Sequence, residues 1–260
     1  MLVFSAFTPH TPILLDEIGG EKTDKLKGTL DALKQLEAEL YAAMPQTIII
    51  IGGHSNVAVD YFRLPISDVF RTSFREVGDY SLHKQFRPDI EITQFIKERT
   101  IGKLPVNLFP EKMLDYGLGA PLHLLASRIQ NLKLVPIHHS ALSLQDHRLF
   151  GVILREIVEE SATRIAVIAS GELSHALTKK NNKPNIGQEF DQKIIDAISG
   201  NRYEDIFNLD DKFITNAQEC GLRPLAILLG FITGHNNPPK ILKYESPLGV
   251  GHLTVDFKIR

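Results

Sequence analysis

The chain has 260 residues, 43% hydrophobic and 23% charged, with a formal net charge of −2. This balance suits a globular domain with a sizeable core and excludes the strongly basic surface that nucleic acid or an anionic membrane selects. A single cysteine, Cys220, excludes an intrachain disulfide and makes a cytoplasmic location the default. No apolar run approaches the roughly 20 residues of a membrane span, and the amino terminus MLVFSAFTPHTP lacks the basic region of a signal peptide.

Taken in order, Leu2–Phe7 reads as a short apolar strand. It runs into Thr8-Pro9-His10-Thr11-Pro12, where two prolines stiffen the backbone around one histidine. Thr23–Met44 carries leucines at helical spacing and predicts an amphipathic helix. Thr47–Ser55, TIIIIGGHS, has four consecutive isoleucines without alternation, the mark of a central parallel strand buried on both faces. It stops at two glycines, and His54 follows at the carboxyl end, where ligands bind in open α/β sheets.

Asn56–Pro88 scatters its aromatic residues without period and reads as a loop with short strands, a candidate lid over the site. A helix is expected over Ile90–Arg99 and a strand over Leu104–Phe109. Gly117 and Gly119 lead into Pro121 at a helix start, and Leu132–Ile137 is an apolar strand ending at His138-His139. Leu144–Glu159 reads as an amphipathic helix. Arg164–Ala169 repeats the earlier design, an apolar run followed by Ser170-Gly171-Glu172-Leu173-Ser174-His175. Lys179–Gly187 is a polar, turn-rich loop, Gln188–Ile198 a helix and Leu225–Ile232 a buried helix. Lys240–Tyr244 and Gly251–Ile259 close the chain as strands. The sum is a single α/β domain over residues 1–260, with a central, mostly parallel twisted sheet flanked by helices.

His10, His54 and His175 each follow an apolar strand and can converge in one crevice. Two imidazoles and a carboxylate form the facial set of non-haem Fe(II) oxygenases, leaving a third histidine for acid–base work. Glu172, Glu219 and Glu245 are the carboxylate candidates. Glu219 stands out because it precedes a buried helix, where a charge needs a partner and a metal would serve. His123, in an apolar helix, and His138, at a strand end, are candidates to line a substrate pocket. His83, His147 and His235 read as surface residues, and Cys220 beside a buried helix reads as packed.

PHTPILL around His10, IIGGHS around His54, DYGLGAPLHLL over Asp115–Leu125, GELSHAL around His175 and ECGLRPLAILLG over Glu219–Gly230 occur in a particular order. In that order they resemble the class III extradiol ring-cleavage dioxygenase superfamily, of the catalytic B-subunit type of protocatechuate 4,5-dioxygenase, and the related Memo-like proteins. The resemblance implies a metal site on His10, His54 and Glu219, with His175 as acid–base residue. It implies Fe(II), with another divalent metal such as Zn as the alternative, and a small catechol-like or aminophenol-like aromatic with O2 as reactants. Neither nucleic acid nor membrane is implied as a partner, and a homo-oligomer is left open. Ring-cleaving relatives carry a histidine in an Asp-His-Gly turn where this chain has Asp115-Tyr116-Gly117, so Tyr116 takes that place as a hydrogen-bond donor. Memo-like proteins set a cysteine near the metal, which makes Cys220 the alternative ligand. The second function implied is a Memo-like metal pocket with a binding or regulatory role.

Overall fold

The computed structural model describes residues 1–54, 57–177, 185–234 and 237–258. The strands are β1 (Leu2–Thr8), β2 (Thr47–Gly52), β3 (Phe62–Ile66), β4 (Phe70–Thr72), β5 (Gln85–Pro88), β6 (Val106–Pro110), β7 (Met113–Leu114), β8 (Lys133–His138), β9 (Ile165–Ser170), β10 (Lys240–Glu245) and β11 (His252–Asp256). The helices are α1 (Asp16–Gly19), α2 (Lys27–Ala43), α3 (Ile90–Thr100), α4 (Tyr116–Leu125), α5 (Leu144–Glu160), α6 (Ile186–Ser199), α7 (Tyr203–Phe207), α8 (Asp211–Ala217) and α9 (Leu222–Ile232).

One mixed sheet runs β10-β11-β1-β9-β2-β8-β5-β4-β7, with β3 joining at β8 and β6 at β3. Its centre, β1-β9-β2-β8, is parallel throughout, and β10 and β11 add antiparallel strands at one edge. Side chains alternate faces along a strand, so the isoleucine run of β2 is divided between two cores. Ile49 and Ile51 join Val135, Ile137 and Val167 beneath α5 and α9. Ile48 and Ile50 join Ala6, Leu134 and Ile168 beneath α2 and α4. All six β2 residues are buried, which is why that strand shows no polar alternation.

Helix ends follow local chemistry. Ser143 and Asp146 form a capping box at the start of α5, and Asp115 caps α4 by accepting from the Leu118 amide. The stretch read as a loop with short strands carries β3, β4 and β5, which extend the sheet, and Phe62, Phe70, Phe74 and Phe86 are buried in the cores. Its irregular pattern reflects short strands that alternate with turns over few residues. The exposed-loop expectation for Lys179–Gly187 falls mostly, and those for His235 and Ile259 wholly, outside the described residues. Among the described residues no helix is long and apolar enough to cross a membrane.

Candidate metal centre and active site

The register of the central strands builds the site. Thr8 pairs with Ser170, Ile51 with Ala169, and Gly52 with His138. Parallel strands end on the same side, so the segments carrying His10, Glu172 to His175, His54 and His139 leave the sheet side by side.

Two close backbone approaches set these segments. Gly53 has φ +94°, a conformation that side chains rarely adopt, and a Cβ there would sit 2.1 Å from His138 Nδ1. At Gly171 a Cβ would lie 2.2 Å from the Cα of Gly221, so the end of β9 meets the start of α9 backbone to backbone. That contact sets Cys220 against Glu172: the Glu172 amide donates to Cys220 Sγ at 3.3 Å, and the Gly221 amide donates to the Glu172 carbonyl at 2.8 Å. Asp115 ties α4 to the loop after β2, accepting from the His54 amide at 2.8 Å.

Ligand atoms of His10, His54 and Cys220 lie within 4.8 Å of one another, and so do those of Glu172, His175 and Cys220. Cys220 Sγ is the common point, 3.6 Å from His10 Nε2, 3.7 Å from His175 Nε2 and 3.3 Å from Glu172 Oε2. The donor set is three imidazoles, one thiol and one carboxylate.

The hydrogen bonds fix the protons. Ser170 Oγ donates its only hydrogen to the Gly117 carbonyl, so at 3.2 Å from His10 Nδ1 it can only accept. His10 therefore carries a proton on Nδ1, and in the neutral ring Nε2 presents a lone pair. That lone pair faces Glu172 Oε2 at 2.9 Å and the sulfur at 3.6 Å. Such convergence is repulsive unless a proton or a metal ion sits among them, and the donor set accordingly fits a divalent metal. Burial alone would push His10 down, but Glu172 beside it holds it above its ordinary value. Glu172 resists burial in turn, held well below the carboxylate range by His10 and its amide. Burial and the Glu172 charge push the Cys220 thiol up, so it ionises only when a cation offsets that charge.

The other expected residues fall into two groups. Tyr116 joins the site: its ring centroid is 4.9 Å from His54 and 5.9 Å from His10, and burial pushes its hydroxyl up, so it stays a donor. His175 faces Cys220, and burial lowers it toward the neutral form. Glu219 is placed differently from the expectation. Its buried carboxylate accepts from the Leu222 amide and lies 3.8 Å from Arg223 Nη1, and it is absent from both donor groups. The partner required by its burial is the first turn of α9, and Cys220 takes the position beside the histidines.

Glu245 accepts from Thr29, away from these donors. His123 bonds Thr72 Oγ1 at 2.8 Å, packs edge-on to Phe74 and lines a separate groove with Leu15 and Arg128. His138 is buried under Gly53, 3.3 Å from Glu111, which pairs with Arg63. Neighbouring residues of an extended chain face opposite ways, so of the pair His138-His139 it is His139 that lines the cavity beside His54. His147, expected at the surface, is fully buried on α5, with Nδ1 2.7 Å from the Ser143 carbonyl.

Sequence reasoning missed Ser170, Asp115 and His252 as supporting residues. An Asp directly before a Gly-containing helix start is a cap signal that could have marked Asp115. Buried His252 lies in the field of Glu172, and no local pattern announces it.

A cavity of about 270 Å³ opens beside the donors, lined by His54, Val57, His139, Ser140, Cys220 and Arg223 among others. A larger cavity of about 620 Å³ adjoins it, and Ala141, Glu219 and Arg223 line both.

Comparison with known proteins agrees with this architecture. The chain is 29% identical over 256 residues to protein CA_C1420 of Clostridium acetobutylicum, covering 94% of this chain but 55% of that protein, so it spans about half that relative's length. It is 24% identical over 233 residues to the 2-aminophenol 1,6-dioxygenase beta subunit of a Pseudomonas species, covering 80% of this chain and 73% of that one. The crystal structure of uncharacterized protein JW3007 from Escherichia coli K12 superposes with a TM-score of 0.68 at 17% identity, covering 98% of this chain and 99% of that chain, a likeness of fold. The family model for the catalytic LigB subunit of aromatic ring-opening dioxygenases matches residues 5–254, and the chain belongs to that family.

Proposed function

We propose that this protein binds a divalent metal through His10, His54 and Cys220, with Glu172 alongside, and opens a catechol-like or aminophenol-like aromatic ring with O2. The observation that carries the reading is the convergence of His10 Nε2, Glu172 Oε2 and Cys220 Sγ within 3.6 Å of one another. The name of the Pseudomonas relative supports the aminophenol-like class. Bound Fe(II) would supply the redox chemistry between O2 and the ring; the residues of the chain supply position and protons.

Ser170 holds the His10 proton on Nδ1 and so keeps Nε2 free as a ligand atom. His175, pushed toward the neutral form by burial and 3.7 Å from Cys220 Sγ, accepts a proton from the substrate hydroxyl or amine and later returns it. Tyr116 donates a hydrogen bond and orients the ring, but its raised pKa makes it a poor base. His139, driven down to about 3 by burial, is a neutral wall of the cavity.

A second reading is a metal-holding module of the Memo-like kind without ring opening. It is favoured by a thiol among the donors, together with Tyr116 where ring-cleaving relatives carry histidine. The test is anaerobic Fe(II) loading followed by O2 uptake with a panel of catechols and 2-aminophenols. Uptake matched by a ring-opened product supports the first reading; tight Fe(II) binding with no uptake on any member supports the second.

A further inference from the structure

The segment from Glu172 to Ala176 follows β9 without regular structure, yet each of its amides has an anchor. After the Glu172 amide, which meets Cys220 Sγ, the Leu173 amide donates to the Gly251 carbonyl at 2.9 Å and the His175 amide to the Ala217 carbonyl at 3.2 Å. The Ala176 amide donates to Ser174 Oγ at 2.9 Å, and that hydroxyl donates to the Ala217 carbonyl at 2.7 Å. The Ser174 amide alone among them donates to a distant carboxylate, Oδ1 of Asp191 on α6, at 2.8 Å. Asp191 is buried, and its other oxygen accepts from the Tyr244 hydroxyl of β10 at 2.7 Å.

Two glycines bring these parts together. A Cβ at Gly251 would sit 2.1 Å from Asp191 Oδ2, and one at Gly187 would sit 2.4 Å from Ser174 Oγ. Gly187 and Asp191 are four residues apart on α6, so one helix face presents both to Ser174. Burial works against the Asp191 charge and raises its pKa to about 6, which lowers stability at neutral pH. A destabilising group retained beside a working segment has the character of a functional device. Beyond the contact of Nε2 with Cys220, a large part of the His175 side chain is open to solvent. Side-chain packing therefore does little to fix the ring, and its backbone must.

We propose that Asp191 is a positioning residue for His175: its carboxylate clamps Ser174 from α6, with Tyr244 steadying the carboxylate, and so fixes the backbone that aims the imidazole at the donor cluster. The consequence for rate rests on the ring-opening reading above; the clamp itself does not.

The test is amide hydrogen exchange and histidine side-chain NMR on the full 260-residue chain without added metal, in wild type, Asp191→Ala, Asp191→Asn and Tyr244→Phe. Exchange at the Ser174 amide should accelerate about 10- to 100-fold in Asp191→Ala while the amides of β2 keep their wild-type rates. The His175 ring signal, assigned by its loss in His175→Gln, should shift and broaden. Asparagine offers an acceptor of the same reach, so Asp191→Asn should return both readouts toward wild type. Tyr244→Phe should move both in the direction of Asp191→Ala by a smaller amount, and it decides the matter if Asp191→Ala does not fold. Wild-type exchange and an unmoved His175 signal in the variant that decides, or acceleration spread equally over β2, overturns the assignment. With Fe(II) and an accepted aromatic, Asp191→Ala should lower kcat about 10- to 100-fold at unchanged KM and metal content. Local loosening at Ser174 and His175 with no O2 uptake by the wild type sinks the ring-opening reading and leaves the clamp standing. Wild-type uptake that Asp191→Ala leaves intact sinks the clamp and leaves that reading standing.

Discussion

Cys220 Sγ lies 3.3 Å from Glu172 Oε2, although 48 residues separate them in the chain. The contact exists because Gly171 and Gly221 have no side chains to hold β9 and α9 apart. It turns a thiol that would otherwise be simply packed into the centre of a donor cluster.

The first prediction follows from that centre. Cys220→Ser removes the soft donor shared by both ligand groups and should lower bound Fe(II) or Zn(II) severalfold, measured by elemental analysis after gel filtration. Glu219→Gln keeps an acceptor for the Leu222 amide and should leave metal content near wild type. Full metal in Cys220→Ser with loss in Glu219→Gln would restore Glu219 as the ligand.

His175 can be separated from metal binding. His10, His54 and Cys220 remain when it is removed, so His175→Ala should retain the metal. A positioned acid–base group contributes about 10²–10⁴-fold to rate, and kcat on an accepted aromatic should drop by that order. Loss of metal from His175→Ala would make it a ligand instead.

Gly53→Ala tests the backbone that presents His54. The new Cβ would meet His138 Nδ1 at 2.1 Å in a backbone with φ +94°. Strain and overpacking each cost about 1–3 kcal/mol. Urea unfolding should show a loss of about 2–6 kcal/mol, and metal affinity should fall because His54 shifts. Wild-type stability would mean that the loop relaxes without cost.

Asp191 gives a pH dependence of stability outside the donor cluster. Burial pushes its pKa up from 3.8 to about 6, against the hydrogen bonds from Tyr244 and the Ser174 amide. A raised folded-state pKa means that the folded chain binds the proton more tightly than the unfolded chain. The contribution is therefore fully present below about pH 4 and is lost as pH rises through about 6. A shift of about two units corresponds to roughly 3 kcal/mol. In Asp191→Asn the drop in unfolding free energy between pH 4 and 7 should shrink by that order relative to wild type. An unchanged pH profile would show that Asp191 titrates normally.

The local code determined much of this protein. Four isoleucines in a row required a strand buried on both faces, and the structure divides them between two cores. The repeated design of apolar run, glycine and histidine set His54 and His175 beyond the ends of two strands that parallel pairing places side by side. Tertiary structure decided which carboxylate lies among the converging donors and which histidine lines the cavity. Glu219 and Cys220 are neighbours in sequence, yet the start of α9 takes the carboxylate for its own amides and leaves the thiol at the histidines. His138 and His139 are likewise adjacent, and only the pleat and the clearance over Gly53 decide which one reaches the cavity. Residue type and spacing announce that a donor exists; its direction depends on partners contributed by distant segments, as Glu172 shows by accepting from the amide of His10, 162 residues away.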